Sequence, residues 1–131
     1  MEKYYTITLK SDLTAVVHTH KSLDLELSFL QEQVGGYIEV IQAYFQSNPS
    51  MRDLRMVVNE EGKCHYYPLN ALGSFLYDGT IVVGDVVICS TYNPDPDADP
   101  DIYAMRQSQF DEVMEWVNSF IEKDYITEVA V

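Results

Sequence analysis

Polar and apolar positions alternate at Tyr5, Ile7 and Leu9, and a second apolar group, Ala15-Val16-Val17, follows the polar Lys10-Ser11-Asp12. A period of two predicts strands, so the first eighteen residues read as a pair of strands, although no glycine marks the turn. The period then changes. Leu23, Leu27, Leu30 and Val34 fall at helical spacing over 23–34, with Ser22 placed to cap the helix, Asp24 and Glu26 near its positive end, and Gly35 placed to stop it. Tyr37 to Ile41 reads as a strand after the Gly35-Gly36 pair, with Tyr37, Glu39 and Ile41 on one face. Asn48-Pro49-Ser50 signals a turn, Leu54 to Val58 a further strand, and Cys64 to Tyr67 a short returning strand after the polar Asn59-Glu60-Glu61-Gly62-Lys63.

Pro68 can open a short helix carrying Leu69, Leu72 and Leu76, before Asp78-Gly79 turns the chain into Ile81 to Ile88. That run is apolar on both faces, which places it centrally in a sheet, with Gly84 marking a bulge or a close approach of another backbone. The Pro and Asp run at 93–101 cannot bury itself and reads as a solvated loop. A helix over 109–122 follows, its start marked by Ser108 and Asp111, with an apolar stripe of Phe110, Val113, Met114, Val117, Phe120 and Ile121. Its other side carries Asp111, Glu112, Glu115 and Glu122. The whole reads as a single α+β domain over 1–131, a mainly antiparallel sheet covered by the helices at 23–34 and 109–122.

Composition fits that reading. A chain of 131 residues, 47% hydrophobic, buries roughly two-thirds of its unfolded surface and needs no metal or disulfide to do so. The net charge is -13, and it is uneven: residues 1–77 hold 9 acids and 6 bases, residues 78–131 hold 12 acids and 2 bases. Such a surface repels phosphate, which argues against direct contact with nucleic acid or anionic lipid. The N-terminus lacks the basic and apolar blocks of a secretory signal, no apolar run approaches the roughly 20 residues that span a bilayer, and Cys64 and Cys89 do not make a disulfide framework. The expected location is the cytoplasm.

Several motifs appear together and in order: Val34-Gly35-Gly36-Tyr37-Ile38-Glu39, Asn59-Glu60-Glu61-Gly62-Lys63, Pro68-Leu69-Asn70-Ala71 and Ile81-Val82-Val83-Gly84-Asp85. Their order and spacing resemble a family of bacterial and phage proteins, domain of unknown function 3846. The resemblance covers about residues 24–90 and extends to the C-terminal helix, with the acidic loop 93–101 as an elaboration. It implies no activity, cofactor or catalytic residue. It does imply an accessory gene of a phage, plasmid or other mobile element, a setting in which small acidic inhibitors of host functions are common.

The chemistry that can be sought in the residues is of four kinds. Asp95, Asp97, Asp99 and Asp101 with Glu112, Glu115 and Glu122 can present an acidic surface to a protein partner, and an array of carboxylates can imitate duplex phosphates toward a nucleic-acid-binding protein. The same aspartates do not make a calcium loop, because Pro100 and Arg106, or Ile102 and Ser108 in the next register, stand where Gly and Glu are needed. His18 and His20 share a strand face, and Cys64-His65 could approach them, but no zinc spacing is present and a solvated edge-strand pair is the plainer reading. No nucleophile elbow, phosphate loop or dinucleotide fingerprint occurs.

Gly35, Gly36, Glu39, Asn59, Asn70 and Asp85 can line a small-ligand pocket, against the plainer reading that the asparagines bond their own turns and the glycines end a helix. Ten tyrosines, among them Tyr4-Tyr5 and Tyr66-Tyr67, exceed the needs of the core and can anchor a partner where exposed. The leading expectation is a non-enzymatic protein that binds a protein partner through its acidic C-terminal part, without cofactor or metal. The alternative is a binder or sensor of a nucleotide or metabolite.

Overall fold

The first hairpin joins β1 (Tyr4–Leu9) to β2 (Ala15–His20) in antiparallel register, with Ile7 opposite Val17 and Leu9 opposite Ala15. Its turn does without glycine because Leu13 takes a left-handed φ of 68° while Asp12 Oδ1 accepts from both Thr14 N–H and Thr14 Oγ1. These two bonds hold the exposed Asp12 carboxyl below its ordinary pKa. The computed structural model describes residues 2–45, 51–98 and 101–131. The expected turn at Asn48-Pro49-Ser50 and the candidate Asp99 lie outside them.

The remaining elements are α1 (Leu27–Val34), β3 (Ile38–Gln42), β4 (Leu54–Asn59), α2 (Ala71–Leu76), β5 (Val86–Ser90), α3 (Gln107–Asn118), a 3₁₀ turn (Lys123–Tyr125) and β6 (Ile126–Ala130). The six strands form one sheet in the order β3-β4-β5-β1-β2-β6. Every neighbouring pair is antiparallel except β2 and β6, which are parallel. This is the α+β architecture that the pattern predicts, with β5 well inside the sheet and buried along its whole length.

Alternation along β5 divides the interior in two. Val86 and Ile88 face the larger core with Ile7, Leu9, Val17, Leu54, Met56, Leu76, Val113 and Val117, under α2 and α3. Val87 and Cys89 face the other way, joining Val57, Leu30 and Val34 beneath α1. The helices therefore cover opposite faces of the sheet. The Cys89 thiol, enclosed in the second layer, has its pKa raised by burial.

The structure corrects the element boundaries in several places. α1 begins at Leu27 rather than Leu23, because the preceding residues are tied to the segment before α3: Asp24 bridges Tyr103 and Ala104 N–H donates to Leu23 O. Ser22 Oγ accepts from Asp24 N–H and caps that turn, not the helix. The expected strand at 64–67 is a turn, in which the N–H groups of His65, Tyr66 and Tyr67 donate to Glu61, Lys63 and Gly62 carbonyls. The reason is topological: β4 already has β3 on one edge and β5 on the other, so a returning strand has no edge to join.

Within 81–88 only the stretch from Val86 is regular strand. Gly84 breaks the run with a φ of 77°, and a Cβ there would lie 2.8 Å from the Tyr67 ring. The close approach foreseen at this glycine is thus to an aromatic side chain, not to backbone. α3 starts at Gln107 and ends at Asn118, earlier at both ends than the pattern suggests. Its first turn is held by Gln109, whose Oε1 accepts from Arg106 N–H and whose Nε2 donates to Ser90 Oγ, so Ser108 and Asp111 do not cap it. β6 was not foreseen. Its pairing with β2 removes His18 and His20 from a sheet edge.

Candidate functional site

α3 presents two stripes rather than one. Val113 and Val117 point into the core, as the helical period requires, and Ile121 continues that stripe beyond the helix. Glu112, Glu115, Trp116, Ser119 and Phe120 recur at offsets of three and four, so they share a second face. Ile121 N–H and Phe120 N–H both donate to Val117 O, which carries the helical turn past the last helix residue and keeps Phe120 on this face. Phe120 was expected in the core stripe, but it is 54% exposed.

This second face forms one wall of a groove of about 1080 Å³. The rest comes from Phe75 and the Asp78-Gly79 turn after α2, from Tyr44 and Phe45 after β3, and from Met51. The aromatic rings contact one another. Trp116 meets Phe45 edge-on at 5.5 Å, Phe75 at 6.4 Å and Phe120 at 5.1 Å between centroids. Phe75 is 61% exposed, and with Phe120 and Tyr44 it puts aromatic surface in water. Asp78, Glu112 and Glu115 are the charged residues of the lining, and no Lys or Arg joins them among the described residues.

The groove therefore gathers two of the predicted acidic residues, Glu112 and Glu115. Glu122 is exposed at the cap of the 3₁₀ turn, outside the groove lining. Asp95 and Asp97 are exposed in a loop of successive side-chain turns, in which Asn93 Oδ1 accepts from Asp95 N–H and Asp95 Oδ1 from Asp97 N–H. That loop begins beside a separate hollow of about 560 Å³ near the start of α3, lined by Tyr92, Pro94, Arg106 and the first strand. Asp101 is exposed and accepts from its neighbour's N–H. Asp95, Asp97 and Asp101 line neither this hollow nor the groove that Glu112 and Glu115 line.

The alternative set is brought closer together. Gly35 and Asp85 line one shallow cleft and Gly36 and Asn59 another, both at the C-terminal end of α1. Gly35 ends α1 in the left-handed conformation with its N–H on Gln31 O. Asn59 Nδ2 donates to Val34 O and its Oδ1 accepts from Glu61 N–H. Asn70, fully enclosed, donates to Leu9 O and Gly84 O and accepts from Gly73 N–H at the start of α2. Asp85 Oδ1 accepts from Ser11 N–H. Glu39 is exposed on β3 and lines neither cleft. These residues bond their own turns and neighbouring strands.

His18 and His20 share one face, as expected, but they are not solvated. They are 8% and 7% exposed under α1, each ring edge-on to Phe29 at 5.0 Å. His20 Nε2 bonds Thr6 Oγ1 at 2.9 Å, and His18 Nδ1 is buried without a hydrogen-bond partner among the described residues. Burial lowers both pKa values, that of His20 to about 4. Cys64 is exposed in the 61–66 turn, and among the described residues no three His, Cys, Asp or Glu side chains converge as metal ligands.

The family model described as a domain of unknown function, DUF3846, matches residues 7–118 of the chain. The chain belongs to this family. The matched span runs from within β1 to the end of α3, so for DUF3846 it takes in the acidic loop and both groove-lining helices as well as the motif-bearing core. No curated protein and no solved structure matches the chain. Among the described residues, no helix is long and apolar enough to cross a membrane.

Trp116, Phe75, Phe45 and Tyr44 were not singled out from the sequence. The offsets of Trp116 and Phe120 from Glu112 carried the signal for a second helix face. Phe45 and Phe75 lie far apart in the chain, and no local pattern joins them.

Proposed function

We propose that the protein is a non-enzymatic accessory protein of a phage or mobile element, and that it binds a protein partner through the aromatic, acid-rimmed groove between α2 and α3. The observation that carries this reading is the exposed aromatic cluster Phe75, Trp116 and Phe120 beside Asp78, Glu112 and Glu115. Water-exposed aromatic rings gathered in a concavity are unfavourable in isolation and mark contact surfaces. Buried on binding, such rings supply most of the energy of an interface, while rim carboxylates set orientation and association rate. Pure imitation of duplex phosphates would need carboxylates alone. The aromatic floor favours a protein segment with both apolar and cationic side chains.

The reading is tested by placing a photo-crosslinking amino acid at Ser119, in the groove, and at Glu26, exposed at the start of α1 across the sheet. In host cells, crosslinks to a defined partner are expected from position 119 alone, and E112Q/E115Q should weaken them several-fold. Equal crosslinking from both positions, or none from 119, would count against it. The small-ligand alternative at Gly35, Gly36, Asn59 and Asn70 predicts instead that a nucleotide or metabolite raises the melting temperature by mass action.

A further inference from the structure

We infer that the segment held in the groove is an amphipathic α-helix with an aromatic or long aliphatic ridge flanked by Lys or Arg. This rests on the protein-binding reading above and specifies the partner's shape and charge. At about 1080 Å³ the groove is at or above the upper end of the roughly 300–1,000 Å³ usual for small-molecule pockets. Its long wall, from Glu112 to Phe120, spans roughly 12 Å of helical rise and offers side chains at offsets of three, four, seven and eight. Such a wall forms the ridges and grooves into which a second helix packs.

An extended peptide meets a different situation. Strand addition draws its affinity from an unpaired backbone edge. The groove lining from β3's side begins at Tyr44, beyond the end of that strand at Gln42, and Tyr44 N–H is already bonded to Leu76 O. An extended chain laid on Phe75, Trp116 and Phe120 would bring unpaired amides against apolar rings, at a cost for each buried group. A helix bonds its own backbone and arrives with none of these groups unpaired along its middle. The charge of the occupant follows from Asp78 and Glu115, with no Lys or Arg among the described lining residues.

Trp116, the chain's single tryptophan, lies in the groove and supplies the readout. Three synthetic peptides are titrated while its fluorescence is followed: a Lys/Leu/Phe peptide patterned at the helical period, the same composition patterned at a period of two, and a helical version with Glu for Lys. The basic helical peptide is expected to shift Trp116 emission and to bind at least about tenfold more tightly than either other peptide, a difference of about 1.4 kcal/mol. Its binding should fall about tenfold in F75S/F120S, whose charge is unchanged, and should weaken with added salt. Equal or tighter binding of the period-two peptide, equal binding of the acidic helix, or binding that survives F75S/F120S would overturn the inference. If no peptide binds while crosslinks from position 119 persist, the helical occupant is wrong and the protein-binding reading stands. If those crosslinks are absent too, both are overturned.

Discussion

Asn70 joins three parts of the fold through one side chain. It donates to Leu9 O at the end of β1 and to Gly84 O before β5, and it accepts from Gly73 N–H in the first turn of α2. Replacing it with alanine removes all three bonds at a fully enclosed position. The expected cost for Asn70→Ala is about 2–4 kcal/mol, read as a lower urea midpoint at unchanged slope. Glu39→Ala, on an exposed strand position, should stay within about 0.5 kcal/mol of the parent. A mild effect of Asn70→Ala on stability, coupled to loss of a ligand, would show that this residue serves the small-ligand alternative instead. The same reasoning explains why Asn59 and Asp85 look like site residues in the sequence: both belong to motifs whose order identifies the family, and both are engaged in holding turns.

Among the elements, α1 rests on the thinner of the two layers. Beneath it Leu30 and Val34 meet Val57, Val87 and Cys89, and Phe29 lies over His18 and His20. Burial disfavours the imidazolium of both histidines; Glu32 opposes that shift at His18, whereas Lys10 adds to it, and at His20 the neighbouring His18 adds to it. A histidine whose folded pKa lies below its unfolded value of about 6.5 takes up protons more readily in the unfolded chain. Its contribution to stability is therefore complete above pH 6.5 and is lost as the pH falls toward the folded value, about 4 for His20. With some allowance for water reaching the ring, the loss between pH 7 and pH 4 from His20 is on the order of 2 kcal/mol. Denaturant melts of the parent and of His20→Gln across this range should show a shallower acid loss in the variant. Ring-proton NMR that finds both histidines titrating near pH 6.5 would contradict the buried, neutral pair.

For the molecule as a whole, the net charge of -13 includes -10 carried by residues 78–131, which supply α3, the acidic loop and β6. Like charges held together in the compact state repel, and salt shortens their reach from roughly 30 Å at 0.01 M to about 8 Å at 0.15 M. Raising the salt over that interval is expected to stabilise the fold by about 1 kcal/mol, a rise of a few degrees in melting temperature by calorimetry. A melting temperature that drops with added sodium chloride would mean that attraction, not repulsion, dominates the surface. The same salt should weaken the peptide complex, so folding and binding respond in opposite directions.

Local information was enough for much of this fold. The period-two runs locate β1 to β4, the apolar run anticipates β5, and the helical stripes locate α1 and α3 to within a turn, because spacing along the chain dictates which residues can share a face. Family membership was legible too, from the order of four short motifs. Where a segment's structure depended on a distant neighbour, the chain pattern misled or was silent. The 64–67 segment is a turn because β4 has no free edge, and the histidines are buried because α1 lays Phe29 over their face of the sheet while β6 returns from the far end of the chain to pair with β2. The groove is of the same kind: Phe45, Phe75, Trp116 and Phe120 become one surface only when α2, α3 and the end of β3 are packed on the same side of the sheet. Periodicity encodes the face a residue occupies on its own element, whereas contact between elements depends on how the sheet orders its strands.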